Sequence, residues 1–146
     1  TLIDEKIKKG ANTTMKRALI TGITGQDGSY LAEQMLARGD RVVGASRSRP
    51  EDPASPTGME WVDWDPRDPG KLRDVLSQVR PDEVYNLAAM SSGSGMHDDP
   101  VAIAEANGVD VARLLEALHE VAPKSRFCQA SSSEMFGLAA LGLWEG

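Results

Sequence analysis

The 146-residue chain is poor in the residue types that carry the commonest catalytic and structural chemistries, with one cysteine, two histidines, two tyrosines and two phenylalanines. A single cysteine, Cys128, excludes an internal disulfide and fits a reducing compartment. It lies in an apolar strand-like run, so a buried structural thiol is the expectation. His97 and His119 are far apart and lack a cysteine or carboxylate partner at ligand spacing, so no metal is expected. His119 falls near the end of a predicted helix, where a cation is favourable, and that suffices to explain it. No apolar run approaches membrane-spanning length and no signal-peptide pattern opens the chain, so the expected location is cytoplasmic, with no membrane partner. Basic residues are outnumbered, 16 against 22 acids, and the net charge of −6 removes the basic face that non-specific nucleic-acid binding needs. A phosphate ligand is still allowed, because local N–H groups and a few arginines can hold one inside an acidic protein.

What is present reads as alternating strands and helices. Strands are expected at Arg17–Thr21, Arg41–Ala45, Met59–Trp64, Glu83–Leu87 and Arg126–Ala130. Helices are expected at Asp27–Arg38, Asp68–Val79 and Pro100–Val121. The second carries Leu72, Val75, Leu76 and Val79 as one apolar stripe, and the third has Val111, Leu115 and Leu118 facing one way. Such alternation means a parallel sheet covered on both faces: an α/β, doubly wound sheet of Rossmann type, with strand order 3-2-1-4-5. Residues 1–14 have no place in the pattern and read as a leader or cloning remnant before Met15. The folded unit is expected over 15–137, with an atypical tail at 138–146.

Ligands of such sheets sit beyond the carboxyl ends of the strands, so the loops there matter most. After the first strand, Gly22, Gly25 and Gly28 recur at three-residue spacing before a helix start. Gly22 suits a sharp turn, Gly25 a close approach to a pyrophosphate, and Gly28 close packing of the helix. An ordinary strand-to-helix turn is the rival reading. A P-loop is disfavoured, since Gly28-Ser29-Tyr30 carries no lysine. After the second strand, Ser46-Arg47-Ser48-Arg49 holds arginine where an acid would bind the ribose of NAD, which tips the choice to NADP against a merely solvated basic loop. After the third, Asp65-Pro66 falls where a carboxylate can accept from an adenine amino group; alternatively Asp63, Asp65 and Asp68 cap the next helix, the preferred account for Asp68. After the fourth, Leu87-Ala88-Ala89-Met90-Ser91-Ser92 suits close passage of a cofactor or plain packing. After the fifth, Ser131-Ser132-Ser133-Glu134 is either a reaction site or a serine-rich turn, and the residues alone leave the two even.

Together these segments resemble the GDP-mannose 4,6-dehydratases, in the extended short-chain dehydrogenase/reductase superfamily. The resemblance rests on Gly22-Ile23-Thr24-Gly25-Gln26-Asp27-Gly28-Ser29-Tyr30-Leu31-Ala32, on Pro81–Ala89 and on Gln129–Gly137, and it covers residues 16–137. It implies NADP as cofactor, bound by Gly22, Thr24, Gly25, Gln26, Asp27, Gly28, Arg47, Asp65, Pro66, Leu87, Ala88, Ala89 and Ser91. The reaction it implies is an internal redox: hydride leaves C4 of the hexose, the C5 proton is removed, water leaves C6 and the hydride returns there. The hydroxyl at O4 then falls on Ser132, and the C5 base and acid on Glu134. The expected partner is a sugar nucleotide, GDP-mannose, and the expected parent enzyme a homo-oligomer.

The chain also departs from that pattern. No Tyr-x-x-x-Lys segment follows Gly137, and the sixth strand and the substrate-binding half are lacking, so the expectation is a fragment that does not turn over substrate by itself. The loop Ser46–Gly58 departs as well, where the family has a longer arginine-bearing segment that contributes to subunit contacts. Two rivals stand beside this reading: a sugar-nucleotide epimerase or 4-keto reductase of the same superfamily, and a non-catalytic nucleotide-binding module.

Overall fold

The computed structural model describes residues 15–47, 56–90 and 99–131. The calls on residues 1–14, Arg49, Ser91, His97, Ser132, Glu134, the tail at 138–146 and most of the loop after Arg47 lie outside them. The elements run β1 (Arg17–Thr21), α1 (Gln26–Ala37), β2 (Arg41–Ser46), β3 (Glu60–Asp63), α2 (Pro69–Val79), β4 (Glu83–Asn86), α3 (Pro100–Ala104), a π-helical turn (Glu105–Val109), α4 (Asp110–Val121) and β5 (Arg126–Gln129). All strand pairs are parallel and the order is β3-β2-β1-β4-β5, as the alternation predicts. Thr21 and Asn86 therefore end neighbouring central strands at the point where the strand order reverses.

Alternate residues of the strands feed two cores. Leu19, Val43 and Val84 face α2 and α4 and meet Leu72, Leu76, Leu114 and Leu118. Ala18, Ile20 and Val42 face α1 and meet Ala32 and Met35. Leu72 and Leu76 are fully buried, and each contributes about 1.5–3 kcal/mol by leaving water. Helix α2 is well specified locally. Asp68 caps it by accepting from the Lys71 amide at 3.0 Å, and Pro69 supplies the fixed φ of its first turn. It ends on Arg80, left-handed at φ 47°, while the Arg17 guanidinium donates to Val79 O at 2.6 Å and Arg80 O at 3.1 Å. A cation there answers the negative end of the helix.

Two expectations are corrected. Cys128 is exposed, not buried. Its strand is the outermost of the described sheet, and its side chain shares a face with Tyr85, away from α2 and α4. On that face α1 covers the β1 and β2 side, where its partners Ile20 and Val42 lie, so the apolar sequence around Cys128 is not roofed over. The apolar face of α4 is also phased differently. It buries Leu114, Ala117 and Leu118, whereas Leu115 is exposed, one residue off the line that points at α2 and the sheet. The helix predicted over Pro100–Val121 is continuous, yet it holds a π-helical turn in the middle.

Candidate cofactor site

A cleft of about 710 Å³ lies over the carboxyl ends of β1, β2, β3 and β4. Its floor is the glycine loop, with Gly22, Thr24 and Gly25 in the wall. The three glycines have three separate reasons. Gly22 has φ +66°, and a Cβ there would stand 2.6 Å from the Ala88 amide nitrogen and 2.7 Å from Leu87 O. Gly28 is buried, and its Cβ would stand 2.6 Å from Gly22 O, so it packs on the loop's own backbone. Gly25 is constrained least: its Cβ would meet only Gly22 O, at 3.3 Å. The fold requires the first and third glycines. The second, given a Cβ, would meet one backbone atom, at a less severe distance, which leaves it the best placed of the three to serve a ligand.

Helix α1 begins at that loop without a side-chain cap on Gly25. The other two helices that open with a cap residue are closed by carboxylates, Asp68 on α2 and Asp99 on α3, the latter accepting from Ala102 N at 2.9 Å. Unmet N–H groups and the positive end of a twelve-residue helix favour an anion at this point.

At one end of the cleft stand two arginines. Arg47, exposed at the end of β2, lines it together with Ser46. Pro66 and Arg67 line it from the turn after β3. Arg67 is anchored on Asp65, whose Oδ1 accepts from the Arg67 amide at 3.0 Å and from its Nε at 3.3 Å. The Arg67 amide holds the Asp65 carboxyl below the usual range against the opposing effect of burial, helped by the Arg67 and Arg47 guanidinium groups. The third wall is Leu87, Ala88 and Ala89, with Met90 beyond, faced by Ala102 and Ala106 of the helix that follows. Asn107, in the π-helical turn, clasps this wall: it accepts from Met90 N at 2.8 Å and donates to Met90 O at 2.9 Å.

Of the sequence candidates, the cleft therefore gathers Gly22, Thr24, Gly25, Arg47, Pro66, Leu87, Ala88 and Ala89 in its walls. Gln26 and Asp27 are exposed in the first turn of α1, and with Gly28 and Asp65 they are not among the lining residues. Sequence reasoning missed Arg67, Asn86, Asn107 and the wall made by α3 and α4. The dipeptide Asp65-Pro66 and the Asn86 before Leu87 stood beside residues already singled out, but nothing local marked Asn107, because only the π-helical turn aims it at Met90. A second cavity, of about 730 Å³, lies at the opposite edge of the sheet. Its acids are already engaged, Glu83 with Lys16 and Asp82 with the Arg17 amide, and it lies at the amino-terminal ends of the strands, away from the glycine loop. Among the described residues no group of three or more His, Cys, Asp or Glu is placed to hold a metal ion, and no helix is long and apolar enough to cross a membrane.

Comparison with known proteins bears on the family and the fold. The sequence profile of the family described as GDP-mannose 4,6 dehydratase matches residues 19–142. A GDP-mannose 4,6-dehydratase of Vibrio cholerae is 40% identical over 142 residues, covering 84% of this chain and 37% of its own length. GDP-mannose 4,6 dehydratase 2 of Caenorhabditis elegans is 41% identical over 138 residues, covering 84% and 36%. The chain thus spans little more than a third of these relatives. Among solved structures, a UDP-glucose 4-epimerase superposes with a TM-score of 0.74 at 26% identity, covering 82% of this chain and 36% of that one. The Bordetella bronchiseptica enzyme WbmH, solved in complex with NAD+, gives a TM-score of 0.71 at 26% identity, with 86% and 42% covered.

Proposed function

The chain belongs to the GDP-mannose 4,6-dehydratase family, and from that premise we propose that its cleft binds NADP for the 4,6-dehydration of a sugar nucleotide, GDP-mannose. The observation that carries the reading is the start of α1, which opens on the cleft with no side-chain cap and with a glycine, Gly25, that the fold constrains less than Gly22 or Gly28. A pyrophosphate fits there: the amides of the first turn donate to it, and the bare Cα of Gly25 allows the approach. The relative WbmH was solved with NAD+, which supports a dinucleotide in this fold.

Arg47 and Ser46 suit a 2′-phosphate at the adenosine end, where a guanidinium makes a charge-assisted contact. Ala88 and Ala89, small and lining the cleft, leave room for the other half of the cofactor. When bound, the cofactor supplies a hydride acceptor and donor. The chain's own part in the chemistry falls to Ser132, which would hold O4 of the hexose, and to Glu134, which would take the C5 proton made acidic by a ketone at C4. Both come shortly after β5 in the sequence. Residues 15–137 are the cofactor-binding part of that enzyme, a cytoplasmic homo-oligomer when whole, and by themselves they do not turn over the sugar nucleotide.

Titration calorimetry with NADP and with NAD tests the reading. Saturable binding of NADP, tighter than NAD, is expected; absence of binding by either overturns it. The rival is a sugar-nucleotide epimerase, since solved neighbours include UDP-glucose 4-epimerases. An epimerase needs no carboxylate for C5, so formation of a 4-keto-6-deoxy product, lost in Glu134→Gln, separates the two in the intact enzyme.

A further inference from the structure

We infer that Thr21, Asn86 and Gln129 form a positioning relay that carries the docking of a phosphate on the glycine loop across the sheet to the carboxyl end of β5. The inference rests on the cofactor reading above. The three residues are lateral partners on neighbouring strands, Thr21 beside Asn86 and Asn86 beside Gln129. Their side chains join head to tail. The Thr21 hydroxyl donates to Asn86 Oδ1, Asn86 Nδ2 donates to Gln129 Oε1 at 2.8 Å, and Gln129 Nε2 donates to Ala130 O at 2.7 Å. The links run in one direction, each amide accepting at its oxygen and donating from its nitrogen. Asn86 thus accepts on the β1 side and donates on the β5 side, and Gln129 turns its own NH₂ to the strand end.

Both ends of the relay touch candidate functional backbone. Thr21 precedes Gly22, and its hydroxyl oxygen also accepts from the Ala88 amide at 3.3 Å, in the wall of the cleft. Gly22 leaves no room for a Cβ against Leu87 and Ala88, so the glycine loop and the loop after β4 cannot move independently. At the far end, Ala130 is held to the sheet by its amide, which donates to Asn86 O at 3.0 Å. The reaction-site candidates follow immediately after.

Stability does not account for this row. Thr21 is fully buried and Asn86 is 5% exposed, whereas the row just below it, Leu19, Val84 and Phe127, is apolar. A buried hydrogen-bonded pair gains little over apolar groups of the same shape, so an apolar row would also have closed the sheet. What apolar side chains cannot supply is direction. Hydrogen bonds in series polarise one another and have one favoured arrangement, so a shift of the Thr21 hydroxyl is felt at Gln129, the exposed end.

Hydrogen–deuterium exchange of the protein with and without saturating NADP tests the relay. In the wild type, NADP should slow exchange both at the glycine loop and at the Ala130 amide, the latter by about fivefold or more. In Gln129→Leu, which changes only the exposed end of the row and frees Asn86 Nδ2 from its acceptor, protection of the glycine loop should remain and that of Ala130 should vanish. Thr21→Ser, which keeps the hydroxyl, should behave as wild type, and Thr21→Val as Gln129→Leu. Protection of Ala130 that persists in Gln129→Leu, or that is missing from a wild type protected at its glycine loop, overturns the relay. If NADP protects neither region, the cofactor reading fails first and the relay falls with it.

Discussion

Asn107 grips the backbone of Met90 at both its polar groups, taking the amide proton at 2.8 Å and donating to the carbonyl at 2.9 Å. The two residues are seventeen apart in sequence, and the contact pins the loop after β4 to the helix that covers it. A π-helical turn at Glu105–Val109 presents the side chain; such turns are often found at functional sites. The wall of the cleft formed by Leu87, Ala88 and Ala89 therefore has its far end fixed by one amide.

Asn107→Ala should weaken NADP binding without unfolding the protein. Each lost hydrogen bond is worth about 1 kcal/mol, so a five- to thirtyfold rise in Kd is the expectation. Asn107→Asp tests the geometry, because a carboxylate accepts from the Met90 amide but faces the Met90 carbonyl with no proton. It should be no better than alanine by calorimetry. Wild-type affinity in both variants would remove Asn107 from the site.

The glycines should separate binding from folding. Gly25→Val is expected to abolish NADP binding while the urea midpoint falls less than in the other two glycine variants, since a Cβ at Gly25 would meet only Gly22 O, at 3.3 Å. Gly22→Ala and Gly28→Ala should instead destabilise the fold by about 2 kcal/mol or more, because each Cβ would stand 2.6 Å from backbone atoms. Unchanged affinity in Gly25→Val would refute a pyrophosphate at the start of α1.

Arg47 should decide between the cofactors. A charge-assisted contact to a 2′-phosphate is worth roughly 1.5–3 kcal/mol, so Arg47→Ala should lower the NADP to NAD affinity ratio by about tenfold or more. Arg67, already anchored on Asp65, offers a built-in comparison. An unchanged ratio in Arg47→Ala would pass the role to another group.

Acid should weaken the contacts at the amino-terminal ends of the strands. Burial alone would raise the Asp40 carboxyl, but the Lys16 amide at 3.0 Å and the Arg38 guanidinium together hold it below its ordinary value. The Lys16 ammonium, helped by the Tyr85 hydroxyl and opposed by burial, does the same for Glu83. Both groups bind fewer protons folded than unfolded near pH 4. Their stabilisation is thus complete above the unfolded values of about 4 and is lost as pH falls through the depressed folded values. Urea unfolding from pH 7 to pH 3 should show a steeper loss in wild type than in Asp40→Asn. Parallel curves would exclude Asp40 as a contributor.

The sequence by itself determined the topology and the strand ends over which the cleft opens. Five strands, their parallel order and the glycine loop were legible because each rests on local signals: apolar runs of strand length, the Leu72-Val75-Leu76-Val79 stripe, Asp68 before Pro69, and glycines between a strand and a helix. Arg47 and Ala88 were legible for the same reason, since the end of a parallel strand is a fixed position in such a sheet. Tertiary structure alone decided what depends on neighbours distant in sequence. Cys128 is exposed because no described element covers its face of β5. Leu115 faces outward because the line of contact with α2 runs through Leu114 and Leu118. Asn86 meets Thr21 and Gln129 across strands, and Asn107 meets Met90 across a turn, by registers that no window of sequence contains. Periodicity fixes which face a residue takes on its own element; only packing decides what, if anything, stands opposite it.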